Sequence, residues 1–245
     1  MRQIAIISDI HSNLPALESV LKEIDRRKIQ KIICLGDIIG KGPSPNEVID
    51  ICMEKCLRVA KGNHEELICS KTVFGGEIYG KIKDWHLLKI GTKRLEYLQS
   101  LENSIDIVMG GRRIRLFHAS QISALNRVHK NDAREKHLLM FENTEFTGYR
   151  NKPNIVGYGD IHSSYIEILD DRILFNVGSV GNPLGLDTRA SFGIINDGNG
   201  KKLFIEIVKI EYNKTKALED AKKSDLPEIE LYINEIETGK YRNRS

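Results

Sequence analysis

Hydrophobic and polar positions change period several times along this chain, and each change marks an element. Ile4-Ala-Ile-Ile7 is a short unbroken apolar run that stops at Ser8-Asp9, the pattern of a strand buried on both faces. From Leu14 the period lengthens. Leu17, Val20, Leu21 and Ile24 fall on one face of a helix, with Pro15 in its first turn. Lys31-Ile-Ile-Cys-Leu35 repeats the buried-strand pattern and ends at Gly36-Asp37, so strand, helix and strand predict a βαβ unit with parallel pairing.

Pro43 and Pro45 lead into a helix near Asn46 to Lys55, and a short strand from Leu57 to Ala60 precedes Gly62-Asn63-His64-Glu65. Trp85, Leu88, Leu95, Leu98 and Leu101 form a helical stripe that covers one side of the molecule, within a helical segment at about 66–103. Ile105 to Val108 and Ile114 to Phe117 flank Gly110-Gly111, a hairpin signal, and the second of these strands delivers His118. After a helix near Asp132 to Phe141, the strand Asn154 to Tyr158 delivers Gly159-Asp160-Ile161-His162. A second hairpin turns at Asp170-Asp171, two more strands cover Ala190 to Ile195 and Leu203 to Ile210, and a two-helix tail spans about 214–238. With no repeat and no linker composition, one domain over 1–245 is expected.

Composition narrows the setting. With 245 residues, 40% hydrophobic and 29% charged, the chain is ordinary globular protein with enough surface to bury in a real core. A net charge of +3 is too small for a dedicated nucleic-acid binder but compatible with small anionic substrates. No apolar run approaches the roughly 18 residues of a membrane span. Cys34, Cys52, Cys56 and Cys69 show no C-x-x-C spacing, which fits a reduced, cytoplasmic compartment.

The candidate chemistry sits at the ends of five strands: Asp9 and His11, Asp37, Asn63 and His64, His118, then Asp160 and His162. Open α/β sheets gather ligands at the carboxyl ends of their strands, so these groups can converge despite their separation in sequence. Singly, Asp37 and Asn63 read as turn residues and His118 as a core histidine. Together they are a mixed oxygen and nitrogen set suited to Mn²⁺, Fe or Zn²⁺. Asp9-x-His11 and Asp160-x-His162 add the i, i+2 spacing that points both side chains of a pair the same way in extended chain.

Ordered in this way, Asp9-Ile-His11, Gly36-Asp37, Gly62-Asn63-His64-Glu65, His118 and Gly159-Asp160-Ile161-His162 resemble the five blocks of the calcineurin-like metallophosphoesterases, in particular their bacterial and archaeal phosphodiesterase branch. The likeness runs from residue 4 to about 212 and includes Gly42-Pro-Ser-Pro-Asn-Glu-Val48 and Asn176-Val-Gly-Ser-Val-Gly181. It implies an α/β fold, a four-layer αββα sandwich of two central mixed sheets flanked by helices. It also implies two divalent metal ions, with Mn²⁺ the first expectation and Fe, Zn²⁺, Ni²⁺ or Mg²⁺ as others. The first would be held by Asp9, His11, Asp37 and His162, the second by Asp37, Asn63, His118 and Asp160. The implied reaction is phosphoester hydrolysis by a hydroxide bridging the metals, with His64 protonating the leaving alkoxide or neutralising the transition state and Glu65 orienting His64.

At position 160 the family pattern has histidine and this chain has aspartate. Aspartate still offers an oxygen and adds a charge that favours harder ions such as Mn²⁺ or Mg²⁺. The alternative is that it hydrogen-bonds a neighbour, leaving a scaffold with an incomplete second site, as in the retromer subunit of the same superfamily. Asn13, Arg127 and Ser179 are the expected substrate contacts, and the Gly178 to Asn182 loop can offer backbone N–H groups to a phosphate. His86, His129 and His137 read as packing or surface residues, and Arg112, Arg113 and Arg115 as a solvated strand face. The expected partner is a small phosphorylated substrate, not a membrane or nucleic acid, and homo-oligomerisation is left open.

Overall fold

The structure is a computed structural model and describes residues 2–70, 76–200 and 202–241. Two five-stranded mixed sheets face each other and are flanked by helices, the expected αββα arrangement. In the first sheet, β1 (Gln3–Ile7) pairs in parallel with β2 (Lys31–Cys34), which pairs in parallel with β3 (Arg58–Val59). On the other side of β1 lie the antiparallel strands β9 (Ala190–Asn196) and β10 (Phe204–Ile210). The second sheet runs β4 (Ser104–Met109), β5 (Arg112–Phe117), β6 (Ile155–Tyr158), β8 (Arg172–Asn176) and β7 (Tyr165–Leu169).

From Ile4 to Ile7, strand β1 is apolar because both its faces are covered. Ile6 packs with Ile33, Leu116, Ile155 and Phe175 between the sheets, whereas Ala5 and Ile7 face the helical layer. That layer contains α1 (Leu14–Arg26), α2 (Pro45–Lys55) and α4 (Gly76–Gln99). Burying each valine, leucine or isoleucine side chain of this kind contributes roughly 1.5–3 kcal/mol. The outer face of the second sheet is covered by Val128, Met140 and Phe141, which flank the short α5 (Arg134–Leu139). The tail forms α6 (Lys214–Lys223), which packs on α1, and α7 (Ile229–Thr238). Among the described residues no helix is long and apolar enough to cross a membrane.

Three expectations change. Helix α3 (Asn63–Cys69) begins at Asn63, earlier than the helical segment expected from residue 66, so Asn63, His64 and Glu65 occupy a first helical turn. The part of that segment at 71–75 lies outside the described residues. In α4, Leu88 is 86% exposed while His86 and Ile90 are buried, because His86 faces inward: its Nε2 accepts the Gly40 N–H at 3.1 Å. The backbone also breaks at Gly91, where φ is 68°. Finally, Arg112 and Arg113 are exposed as expected, but Arg115 is fully buried. Its guanidinium lies across the strand pair on Asp106, at 2.8 and 3.0 Å, and donates to Asn143. The 142–147 segment covers this part of the strand face, and the burial is possible because the charge is paired.

Candidate metal centre

Every strand-end loop that carries a candidate residue is tied to another. Asp9 N–H donates to Gly36 O, His11 N–H to Asp37 O and Gly181 N–H to Asp9 O. The Asp160 N–H donates to Asp9 Oδ2 at 3.0 Å, and the His64 N–H to Asp37 Oδ1 at 2.8 Å. Asp9, His11, Asp37, Asp160 and His162 all adopt positive φ, between 50° and 65°. Such backbone costs non-glycine residues about 1–3 kcal/mol each and persists only where the surroundings enforce it. The glycines of these blocks make the close approach possible: a Cβ on Gly159 would lie 2.1 Å from Ser8 Oγ, and one on Gly62 would lie 2.2 Å from Asp37 Oδ1.

Three histidines share one orientation. Nδ1 of His11, His118 and His162 faces a backbone carbonyl, of Ile39, Leu35 and Asn182 respectively. A carbonyl cannot donate, so Nδ1 carries the hydrogen and the Nε2 lone pair of a neutral ring faces the centre. His11 Nε2 and His162 Nε2 are only 3.0 Å apart. Two lone pairs facing each other at that distance repel unless a cation or proton lies between them. Asp9 Oδ1, fully buried and without a hydrogen-bond donor, lies 3.2 Å from His162 Nε2 and 3.8 Å from His11 Nε2. The ligand atoms of Asp9, His11 and His162 lie within 4.8 Å of one another, and so do those of Asp9, Asp37 and His118. By donor chemistry and spacing, these residues fit a divalent ion.

The other half of the centre is arranged differently. His118 Nε2 is 2.9 Å from Asn63 Oδ1, 3.5 Å from Asp37 Oδ2 and 3.8 Å from Asp160 Oδ1, so all four second-site candidates converge. The Asp160 carboxylate, however, already accepts two hydrogen bonds from Arg127, Nε at 2.8 Å and Nη2 at 2.7 Å. This bidentate pair compensates the charge that aspartate brings to position 160. Both alternatives raised by the sequence therefore meet here: Asp160 lies at the centre and binds a neighbour.

Electrostatics bind the cluster together. Burial pushes the Asp37 carboxyl up, but His118 and His64 outweigh it and hold it well below the usual carboxylate range. Burial likewise opposes the charged form of His118, yet Asp37, Asp9 and Asp160 raise it well above the ordinary value. Burial lowers His64 to about 4 against the pull of Asp37, so its ring is neutral near pH 7. Glu65, expected to orient His64, instead accepts the N–H groups of Asp37, Ile38, Ile39 and Gly62. Burial and the nearby Asp37 push it up to about 7. Its work is to hold the 37–39 loop, which explains why it is fully buried.

The centre opens into a pocket of about 570 Å³. Lining it are His11, Asp37, Asn63, His64, Asp160 and His162, with Lys41, Tyr79, Arg127, His129, Leu184 and Tyr241 around them. The sequence matches the family description of the calcineurin-like phosphoesterase superfamily domain over residues 1–197. The chain belongs to that superfamily. It is 34% identical over 232 residues to an uncharacterised protein of Methanocaldococcus jannaschii, covering 92% of this chain and 94% of that one. Its fold is similar to that of a metallophosphoesterase from Sphaerobacter thermophilus, at 24% identity and a TM-score of 0.76 over 97% of this chain and 100% of that one. A hypothetical protein from Pyrococcus horikoshii gives 19% identity and a TM-score of 0.81, over 99% and 100%.

For a calcineurin-like phosphoesterase, two of the expected substrate contacts are placed elsewhere. Asn13 caps α1 by accepting the Ala16 N–H and donates to Gly181 O, while Ser179 donates to Asp9 O and accepts the Asn182 N–H. Both are buried, and neither lines the pocket. Arg127 and His129 do line it. His86 and His137 are packed in the interior, consistent with their reading as packing residues. Sequence patterning misses Lys41, Tyr79 and Tyr241, whose only signal is that Lys41 stands between two glycines just after the Asp37 block.

Proposed function

We propose that this chain is a divalent-metal-dependent phosphoesterase that acts on phosphodiesters. Asp9, His11, Asp37 and His162 hold one ion, and Asp37, Asn63, His118 and Asp160 a second, more weakly held one. The observation that carries the reading is the approach of His11 Nε2 to His162 Nε2, 3.0 Å apart on rings whose Nδ1 atoms are anchored to carbonyls. Bound there, divalent cations supply a water of lowered pKa and stabilise charge on phosphoryl oxygens.

The protein's own groups do the rest. His64 lies edge-on to the His11 ring, 4.8 Å between centroids, with its side chain 18% exposed toward the pocket. As a neutral ring it donates a hydrogen bond to a phosphoryl or leaving oxygen, and the negative charge of bound substrate draws it toward the protonated form. Arg127 uses two of its five N–H donors on Asp160, which leaves others for a non-bridging phosphate oxygen. A non-catalytic scaffold is the second reading, and the Asp160–Arg127 pair is what favours it.

The test is hydrolysis of bis-nitrophenyl phosphate, mononitrophenyl phosphate and a nucleotide panel by Mn²⁺-loaded protein. Turnover of a diester that a chelator abolishes is expected. A fully loaded protein that hydrolyses none of these substrates is a scaffold.

A further inference from the structure

The C-terminal helix α7 lies beyond the 1–197 span that matches the family, yet it is linked to the metal centre through Lys41 and Asn182. Glu235 is fully buried, and its Oε2 accepts from Lys41 Nζ at 2.9 Å. The same ammonium donates to Asn182 Oδ1 at 2.7 Å and lies 5.1 Å from the centre of the Tyr241 ring. Asn182 then meets the centre directly, because its backbone carbonyl accepts from His162 Nδ1. Its N–H donates to Ser179 Oγ, which in turn donates to Asp9 O. A second tie joins the same two regions, from Gly185 N–H to Gly239 O at 2.7 Å, just after α7 ends.

We infer that Glu235 is a positioning residue of the metal centre: through Lys41 and Asn182 it fixes the direction of His162. Burying a lysine and a glutamate together seldom stabilises a fold more than apolar residues of the same volume, because both charges lose their hydration. An ion pair in this place is therefore better explained by what it aims than by what it stabilises. Lys41 holds the Asn182 side chain, Ser179 holds its backbone N–H, and the carbonyl of the same residue accepts from His162. Groups that orient a metal-binding histidine through its second nitrogen change metal affinity without touching the metal. The inference rests on reading His162 as a metal ligand, as proposed above.

The experiment compares full-length wild type with the double variant Lys41→Met/Glu235→Leu, which removes both charges at similar volume. Mn²⁺ affinity is measured by titration calorimetry into metal-free protein, and thermal denaturation of the metal-free form reports the fold. A 10- to 100-fold weakening of the tighter Mn²⁺ site, with the melting temperature of the metal-free form kept within a few degrees, is expected. Wild-type affinity in the double variant overturns the inference. Wild type that binds no Mn²⁺ overturns it together with the metal reading, so the two failures are distinguishable. If the double variant does not fold, Glu235→Asp decides: it keeps the charge but shortens the reach to Lys41. A weakened Mn²⁺ site in that variant supports the inference, and unchanged affinity overturns it.

Discussion

The two halves of the centre are built from the same kinds of residue but are held by different means. In both halves the histidine rings are anchored on backbone carbonyls, but around Asp9, His11 and His162 a buried carboxylate oxygen is left without a donor. Around Asn63, His118 and Asp160, the distinguishing carboxylate is already engaged by a guanidinium that is 42% exposed. One half is short of positive charge, and the other brings its own. The ligand types alone do not separate the halves, since metal affinity depends as much on the groups that orient and neutralise the ligands.

The largest effect is expected at Asp37, the residue common to both halves. Asp37→Ala should remove metal from both sites and lower activity about 10³-fold or more, because on the proposed reading its carboxylate would serve both cations; elemental analysis and diester turnover check it. His64→Ala should lower kcat roughly 10²-fold with metal content unchanged if the ring acts on substrate and not on metal, as proposed. An emptied centre in that variant shows that His64 is a ligand. Arg127→Ala sharpens the contrast between the halves. With Asp160 released, the weaker Mn²⁺ site should tighten by about tenfold while KM for a diester rises, and a weakened second site instead means that Arg127 holds Asp160 in its ligating position.

The smallest effect comes from a similar carboxylate–arginine pairing on the surface. Hydrogen bonds from Arg26 and Arg27 hold Glu23 at about 2, against an ordinary 4.5. A depressed carboxylate contributes its stability above the unfolded value, so this contribution is complete above about pH 4.5 and fades as pH falls toward 2. Glu23→Gln should lower stability by only about 0.5–1 kcal/mol near neutral pH. In urea denaturation, the gap between wild type and variant should close on acidification; a gap that widens contradicts the assignment.

Much of the fold was legible because strands such as Ile4 to Ile7 are apolar on both faces, and a change from period 2 to period 3.6 marks each crossover. The ligand blocks were legible for a related reason, each being a polar group placed where an apolar strand stops. What stayed hidden was side-chain partnership across distant parts of the chain. Nothing near Arg115 in the sequence announces Asp106 and the covering 142–147 segment, so alternation alone put it in solvent. The helical stripe counted Leu88 because leucine is apolar, whereas His86 faces inward for the sake of one backbone N–H. Glu65 stands next to His64, but its four N–H donors come largely from a loop that the sequence places far upstream. Glu235 is farther still from the blocks, and only the packing of α7 brings it to Lys41.

On the proposed reading the two halves hold metal unequally. Calorimetric titration of Mn²⁺ into metal-free protein, wild type beside His162→Ala and Asn63→Ala, tests it directly. Two binding events at least tenfold apart in Kd are predicted, the tighter one lost in His162→Ala and the weaker one lost in Asn63→Ala. Two equal sites, or a tighter site that survives His162→Ala, would contradict the account.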